Sequence, residues 1–352
     1  LKRFEYMRAS SIPEAVAAAA VPGSAYLAAG TNLLDLMKGN IVRPDRIVDI
    51  SHIAGLNAIE WRSDGGVRVG AMVRNSDLAY DAAFARSFPA VSEALLSGAS
   101  AQLRNAATVG GNVLQRTRCQ YFYDTASACN RREAGSGCDA KGGLTRLHAV
   151  LGWSDSCIAT NPSDFCVPLA ALDAIVEVEG LAGHREIPLQ AFHLLPGSTP
   201  QAESLLEPGD LIVAIRLPAE SAAFAAHARY VKVRERTSYA FAVVSAAAAL
   251  RLDGGRIVSA RLALGGVAAK PWRAKEAEAV LIGRAPDEAA FKETADVALS
   301  AAHAPGDNGF KIELAKRVAA RALALAAAGT PERMPALPGS PFAPRNGAPD
   351  HG

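Results

Sequence analysis

Cysteine is scarce in this chain, with five in 352 residues, and aromatic side chains make up only 6%. All five cysteines fall between positions 119 and 166. An odd count in a chain this long argues against a disulfide framework, since a chain of this size can bury its own cores without staples. Charge of one sign is also lacking: 37 Lys and Arg against 35 Asp and Glu leave a net charge of +2. That balance gives no reason to expect a nucleic-acid partner or a disordered acidic chain. No apolar run approaches the roughly 20 residues that would cross a bilayer, and "LKRFEYMRASSIPEA" has no apolar stretch that would act as a secretion signal, so no membrane insertion is expected. The reading is of a soluble protein whose export, if any, depends on a partner. The fingerprint G-x-G-x-x-G is missing after the first strand, which speaks against a dinucleotide-binding domain of the Rossmann type.

What is present is mixed helix and strand. "SSIPEAVAAAA" sets Ser11 as a helix cap with Glu14 three residues on, a capping-box pattern. A strand over Tyr26 to Ala29 runs into a Gly-Thr-Asn turn, "DRIVDIS" and "GVRVGAMV" read as strands, and "FPAVSEALLSGAS" as a helix from Pro89 to a stop at Gly98. Leu103 to Asp164 shows little periodicity; such a long irregular stretch in a compact domain is usually functional or disordered. Strand-like "AIVEVEG", "DLIVAIRLP" and "RYVKVRER" follow, then "FAVVSAAAALRLDGGRIVSARLALGGV" reads as a hairpin turning at "DGG". Three helices close the chain before "TPERMPALPGSPFAPRNGAPDHG", a Pro- and Gly-rich extended tail expected to lie along a partner.

Two glycine turns have the chemistry of a phosphate cradle. In "LAAGTNLL", the N–H groups and small side chains of Gly30, Thr31 and Asn32 can face an anion. In "ATVGGN", Gly110 and Gly111 allow close backbone approach, with Thr108 and Asn112 able to hydrogen-bond beside it. The alternative for each is a purely structural turn. Four cysteines spread through a glycine-punctuated, basic loop read as thiolate ligands. Arg116, Arg118, Arg131, Arg132, Lys141 and Arg146 are expected to favour thiolate over thiol there. Zinc is the rival, with His148 in the segment, but close C-x2-4-C pairs are absent. Cys166 reads as core filler, and His184, His193 and His303 as surface or packing residues.

"AAGTNLL", "LRNAATVGGN", "SDFCVPLAALDA" and "YVKVRERTSYAFAVVSAA", in that order, resemble the flavoprotein subunit of the xanthine dehydrogenase and carbon monoxide dehydrogenase family. The resemblance implies an α+β fold. An FAD-binding domain of two subdomains, similar to that of vanillyl-alcohol oxidase, covers 1–56 and 57–222, with an iron–sulfur loop at 115–160. A smaller sheet-and-helix domain covers 223–330, and the tail 331–352. It implies FAD diphosphate between the turn Leu27, Ala28, Ala29, Gly30, Thr31, Asn32, Leu33 and the turn Thr108, Gly110, Gly111, Asn112, with Arg104 ahead of the second. Ser163 and Asp164 match the position holding a ribityl hydroxyl, Leu211 or Ile212 an apolar contact to the flavin ring, and Lys232 a lysine near the flavin. Ala29 stands where relatives usually carry glycine, and is expected at an ordinary extended dihedral. The cysteine segments resemble those of the aldehyde oxidoreductase branch, which implies a [4Fe-4S] cluster on Cys119, Cys129, Cys138 and Cys157. The implied role is an electron-transfer subunit working with a molybdenum-cofactor large subunit and a [2Fe-2S] small subunit. The external acceptor would be a ferredoxin, quinone, oxygen or NAD, and the compartment cytoplasmic, or periplasmic on a partner's twin-arginine signal. Flavoprotein subunits of xanthine, carbon monoxide or hydroxybenzoyl-CoA enzymes are the nearest alternatives, and a free-standing flavin oxidase a further one.

Overall fold

A computed structural model describes residues 1–332; the tail expected over 331–352 lies, from 333 onward, outside the described residues. Strands β1 (Glu5–Arg8), β2 (Ser24–Leu27) and β3 (Arg46–Asp49) form a parallel sheet in the order β1-β3-β2. Parallel neighbours need crossovers, and the helix Ile12–Ala19 supplies the first. Ser11 caps it by accepting the Glu14 N–H, while Glu14 reaches back to the Ser10 N–H, one residue earlier than the expected reciprocal pair. Strand β2 ends at Leu27, so the first glycine turn begins two residues sooner than the sequence suggests.

The second sheet is antiparallel and holds β4 (Ile59–Trp61), β5 (Val67–Gly70), β6 (Ile175–Gly180), β7 (Gly183–Pro188) and β8 (Leu211–Leu217), ordered β4-β5-β8-β6-β7. Central β8 is covered on both faces: Leu211 and Val213 point to the core of the first sheet, Ile212, Ile215 and Leu217 to that of the second. The third sheet contains β9 (Ala228–Val233), β10 (Val244–Asp253), β11 (Arg256–Gly265) and β12 (Trp272–Arg273), ordered β12-β11-β10-β9. Alanines let β10 be buried twice. Ala247 and Ala249 face the helix Cys166–Ala171, while Ala246 and Ala248 join the core under the helix Phe310–Ala327. Cys166 begins the first of those helices as a fully buried side chain, the core filler expected.

Between the helix Gln120–Tyr123 and Cys166 the chain has turns and isolated bridges only, including Cys129 opposite Cys138 and Ser154 opposite Cys157. Phe122, fully buried, pins this segment to Leu36 of the helix Leu33–Lys38 and to Cys129. The segment is therefore tied to the helix that follows the first glycine turn.

Of the lone histidines, His184 is exposed and meets Glu179, His303 packs on Trp153, and His193 is buried with its Nε2 2.8 Å from the Val113 carbonyl. Burial pushes His193 down to about 4. In the unfolded chain it titrates near its ordinary value, about 6.5. The unfolded state then takes up the proton first as pH falls, so stability present above pH 6.5 is lost between there and about pH 4, by about 3 kcal/mol. Urea unfolding of wild type and His193→Gln across that window should show the steeper pH dependence in wild type; parallel curves would remove His193 as its source.

Candidate functional site: two glycine turns, a cleft and a ring of thiols

At the first turn, Gly30 adopts φ +77, and a Cβ there would sit 2.8 Å from Leu34 Cδ1. Ala29 is exposed and stays outside the left-handed region. Ala28 packs on the core of the first sheet, and Leu27 and Leu33 are half-buried. Thr31 and Asn32 line a cleft of about 620 Å³, within the size range of small-molecule and cofactor sites. Asn32 ties the two turns together: its Nδ2 donates to the Gly111 carbonyl at 2.9 Å, and its Oδ1 accepts from Arg118 Nη2 at 3.0 Å.

At the second turn, Thr108 caps the helix Val109–Val113 by accepting the Gly111 N–H. The two glycines have different reasons. A Cβ on Gly110 would lie 2.9 Å from Ala71 Cβ and 3.1 Å from the Ala71 carbonyl, so Gly110 lets this helix lie against the end of β5. Gly111 would meet only Thr108 Oγ1, and it is the carbonyl of Gly111 that faces Asn32. Asn112 lines the cleft and accepts from Ser163 Oγ at 2.9 Å. Arg104 lines it too, and donates to the Gly98 carbonyl at 2.7 Å.

Asp164, 8% exposed, forms part of the same wall. Its Oδ1 accepts from the Tyr230 hydroxyl at 2.6 Å and its Oδ2 from Lys232 Nζ at 2.7 Å. Burial and the Asp164 charge push the Tyr230 hydroxyl well above its ordinary value, so it keeps its proton and donates. Lys232 stands behind the cleft wall, bonded also to the Ser97 carbonyl at 3.1 Å. Its charge reaches the cleft through Asp164.

Leu211 and Ile212, expected at an apolar contact to the flavin ring, are not among the residues that line the cleft. They sit in a strand paired on both edges and buried on both faces, and their side chains fill two cores. In their place the lining includes Asp35, Asn75, Leu95, Gln115, Arg118 and Phe165, none of which the sequence singled out for this role. Asn75 is 5% exposed, and its Oδ1 has no partner among the described residues. An orphaned buried acceptor on a cleft wall suits a ligand carrying hydroxyl or amide donors. Glu235, Arg236, Tyr239, Ala240 and Phe241 of "RERTSYAF" also line the cleft; Tyr239 adopts φ +50 and Arg118 lies over the Phe241 ring at 5.1 Å.

All four of Cys119, Cys129, Cys138 and Cys157 line one narrow pocket of about 10 Å³. All five cysteines are free thiols. Arg132 organises the loop by donating to the carbonyls of Tyr121 and Phe122, and Asn130 accepts the Gly137 N–H while donating to the Ser156 carbonyl. Among the described residues, no three His, Cys, Asp or Glu side chains converge as the ligands of a single metal ion would. At two of the thiols burial acts against the expected basic activation, pushing Cys119 up to about 11 and raising Cys138 as well. Of the basic residues, Arg116 is held by Glu203, Lys141 by Asp155 and Arg146 by Glu235. Arg131, almost fully buried, is set beside the Cys157 thiol and shares Glu203. A further cavity of about 270 Å³ adjoins both regions: Arg118 and Asp164 line it and the cleft, and Cys119 lines it and the thiol pocket.

Residues 2–220 match the family described as FAD binding domain in molybdopterin dehydrogenase, and residues 229–326 match the CO dehydrogenase flavoprotein C-terminal domain. The chain is 48% identical to the aldehyde oxidoreductase FAD-binding subunit of Escherichia coli (strain K12), over 93% of this chain and 99% of that one. It is 28% identical to the carbon monoxide dehydrogenase medium chain of Hydrogenophaga pseudoflava, over 91% and 96%. Among solved structures, the Cu,Mo-CO dehydrogenase in its cyanide-inactivated form superposes with a TM-score of 0.73 at 25% identity, covering 93% of this chain and 99% of that one. Quinoline 2-oxidoreductase from Pseudomonas putida 86 gives 0.71 at 25% identity, covering 93% and 97%. None of the helices among the described residues is long and apolar enough to cross a membrane. With both of its parts matched and nearly half of its residues shared with one relative, this chain belongs to the FAD-binding medium subunits of the molybdenum hydroxylase family, and is a subunit of an oxidoreductase.

Proposed function

We propose that this chain is the FAD and [4Fe-4S] electron-transfer subunit of a heterotrimeric aldehyde oxidoreductase. A molybdenum-cofactor large subunit oxidises the aldehyde, a [2Fe-2S] small subunit passes the electrons on, and they leave from this chain to an external acceptor: a ferredoxin, quinone, oxygen or NAD. The units are 1–56 and 57–222 for FAD, with the cluster loop at 115–160, and 223–330 behind them. When bound, the flavin and the cluster supply the redox chemistry, and the chain's own residues bind and orient them. Thr31, Asn32, Thr108, Gly111 and Asn112, flanked by Leu27 to Gly30, Leu33 and Arg104, hold the diphosphate. Ser163 and Asp164 hold the ribityl chain, with Asp164 oriented by Tyr230 and Lys232.

The observation that carries this reading is the gathering of Cys119, Cys129, Cys138 and Cys157 around one pocket, joined by a cavity to the cleft that both glycine turns border. A single zinc ion requires four ligands within about 2.0–2.3 Å of one centre. A four-iron cluster takes one thiolate per iron and suits a wider ring, which fits thiols that share a pocket without converging. Aldehydes are the favoured substrate class because of the 48% identity to an aldehyde oxidoreductase subunit. The purified complex should contain iron, acid-labile sulfide and FAD together, with an electron paramagnetic resonance (EPR) signal of a reduced [4Fe-4S] cluster beyond those of the small subunit. Zinc without that signal would overturn the cluster assignment.

A further inference from the structure

We propose that His148 is a positioning residue for the cluster, donating from Nε2–H to the Cys119 sulfur and so setting how readily the cluster holds an electron. This rests on the reading of Cys119 as a cluster ligand. The imidazole Nε2 lies 3.2 Å from Cys119 Sγ, and His148 is 6% exposed. A ligating thiolate has no proton to give, so in such a contact the ring nitrogen must be the donor. That places the ring proton on Nε2 and leaves Nδ1 bare, consistent with a buried Nδ1 that finds no partner among the described residues.

The backbone at His148 is held by Thr145 and by Asn308 and Lys311, at the start of the helix Phe310–Ala327. The His148 carbonyl accepts from Lys311 Nζ at 2.8 Å and from Asn308 Nδ2 at 3.1 Å, and its N–H donates to the Thr145 carbonyl at 2.8 Å. Lys311 is fully buried and donates also to the carbonyls of Leu147 and Gly266. Three carbonyl acceptors match the three donors of an ammonium. These bonds fix the main chain from which the buried imidazole reaches the sulfur.

The position of Cys119 gives the contact its consequence. Of the four thiol residues, Cys119 alone lines the cavity that adjoins the cleft. A cluster held by Cys119 would gain one negative charge on taking up one electron. A hydrogen bond to sulfur strengthens as that sulfur becomes more negative, so it favours the reduced state and raises the potential. The ring proton stays on Nε2 throughout.

The test is an EPR-monitored redox titration of the intact complex carrying His148→Phe, which keeps a ring of similar size and removes the donor. The expected result is a tenfold lower ratio of reduced to oxidised cluster at a fixed potential, a shift of about 59 mV to more negative values for one electron. His148→Gln, which restores an N–H, should recover most of the shift. An unchanged midpoint in His148→Phe with iron content intact would overturn the proposal. If His148→Phe loses its iron, pulsed EPR of wild type labelled with 15N-histidine decides: a nitrogen weakly coupled to the reduced cluster supports the contact, and its absence overturns it. Failure of the underlying reading looks different, since wild type itself would then give no titratable cluster signal.

Discussion

Replacing Cys138 by serine is expected to strip nearly all of the cluster iron from the complex while leaving FAD bound. The exchange of sulfur for oxygen is close to isosteric, and Cys138 is half-exposed on a turn held by backbone bonds from Asn130, Asp139 and Lys141. The fold should therefore tolerate it. The chemistry should not, because a serine hydroxyl is far harder to deprotonate than a thiol and is a poor ligand for iron in a sulfide cluster. The cleft proposed to hold FAD is lined by none of the four cysteines, so flavin content is the internal control. Cys166→Ser is the second control: that thiol is fully buried in the helix Cys166–Ala171, away from the pocket, with burial pushing it up to about 12. It should lose some stability and no iron. Full iron and an unaltered spectrum in Cys138→Ser would remove Cys138 from the ligand set.

Much of the fold was legible because its strands carry their burial in their sequence. The hairpin of β10 and β11 was read through four consecutive alanines, which are poor strand formers, because "DGG" fixes the turn and apolar residues continue on either side. Leu211 and Ile212 show where a resemblance outran the residues. The run "LIVAI" is apolar at every position, the mark of a strand covered on both faces, and its side chains join the cores on either side. The charges of the cysteine loop misled for a different reason. Composition counts arginines without saying which carboxylate each will meet, and Glu203, Asp155 and Glu235, which hold three of the basic residues, are spread over more than 80 positions. Asn75 and Arg118 reach the cleft from separate helices and loops, and no local pattern marks them. A buried acceptor left without a partner becomes visible only when the chain is folded around it.

Asn32→Ala is expected to weaken FAD binding by about 10- to 100-fold, roughly 1.4–2.8 kcal/mol. The side chain makes two bonds that no neighbour can replace, one to the Gly111 carbonyl and one from the Arg118 guanidinium. A neutral hydrogen bond contributes about 0.5–1.5 kcal/mol and one to a charged group about 1.5–3 kcal/mol. Both exist in the protein without ligand, so their loss counts against binding only as far as it lets the two turns drift apart. In the proposed site, two short turns on separate elements, Gly30 to Asn32 after β2 and Thr108 to Asn112 against the end of β5, must keep one spacing to grip a diphosphate from both sides. Asn32 is the side chain that links their backbones directly, so most of its worth should appear as lost preorganisation. Asn32→Asp separates the two bonds: it keeps the partner of Arg118 but sets a carboxylate against the Gly111 carbonyl and near the diphosphate, and should bind FAD more weakly than the alanine variant. Titrating FAD into flavin-depleted protein and following flavin fluorescence gives all three affinities. Equal affinity in wild type and Asn32→Ala would mean that the turns hold their spacing without the side chain, and that the packing of Gly110 on Ala71 alone fixes the second turn.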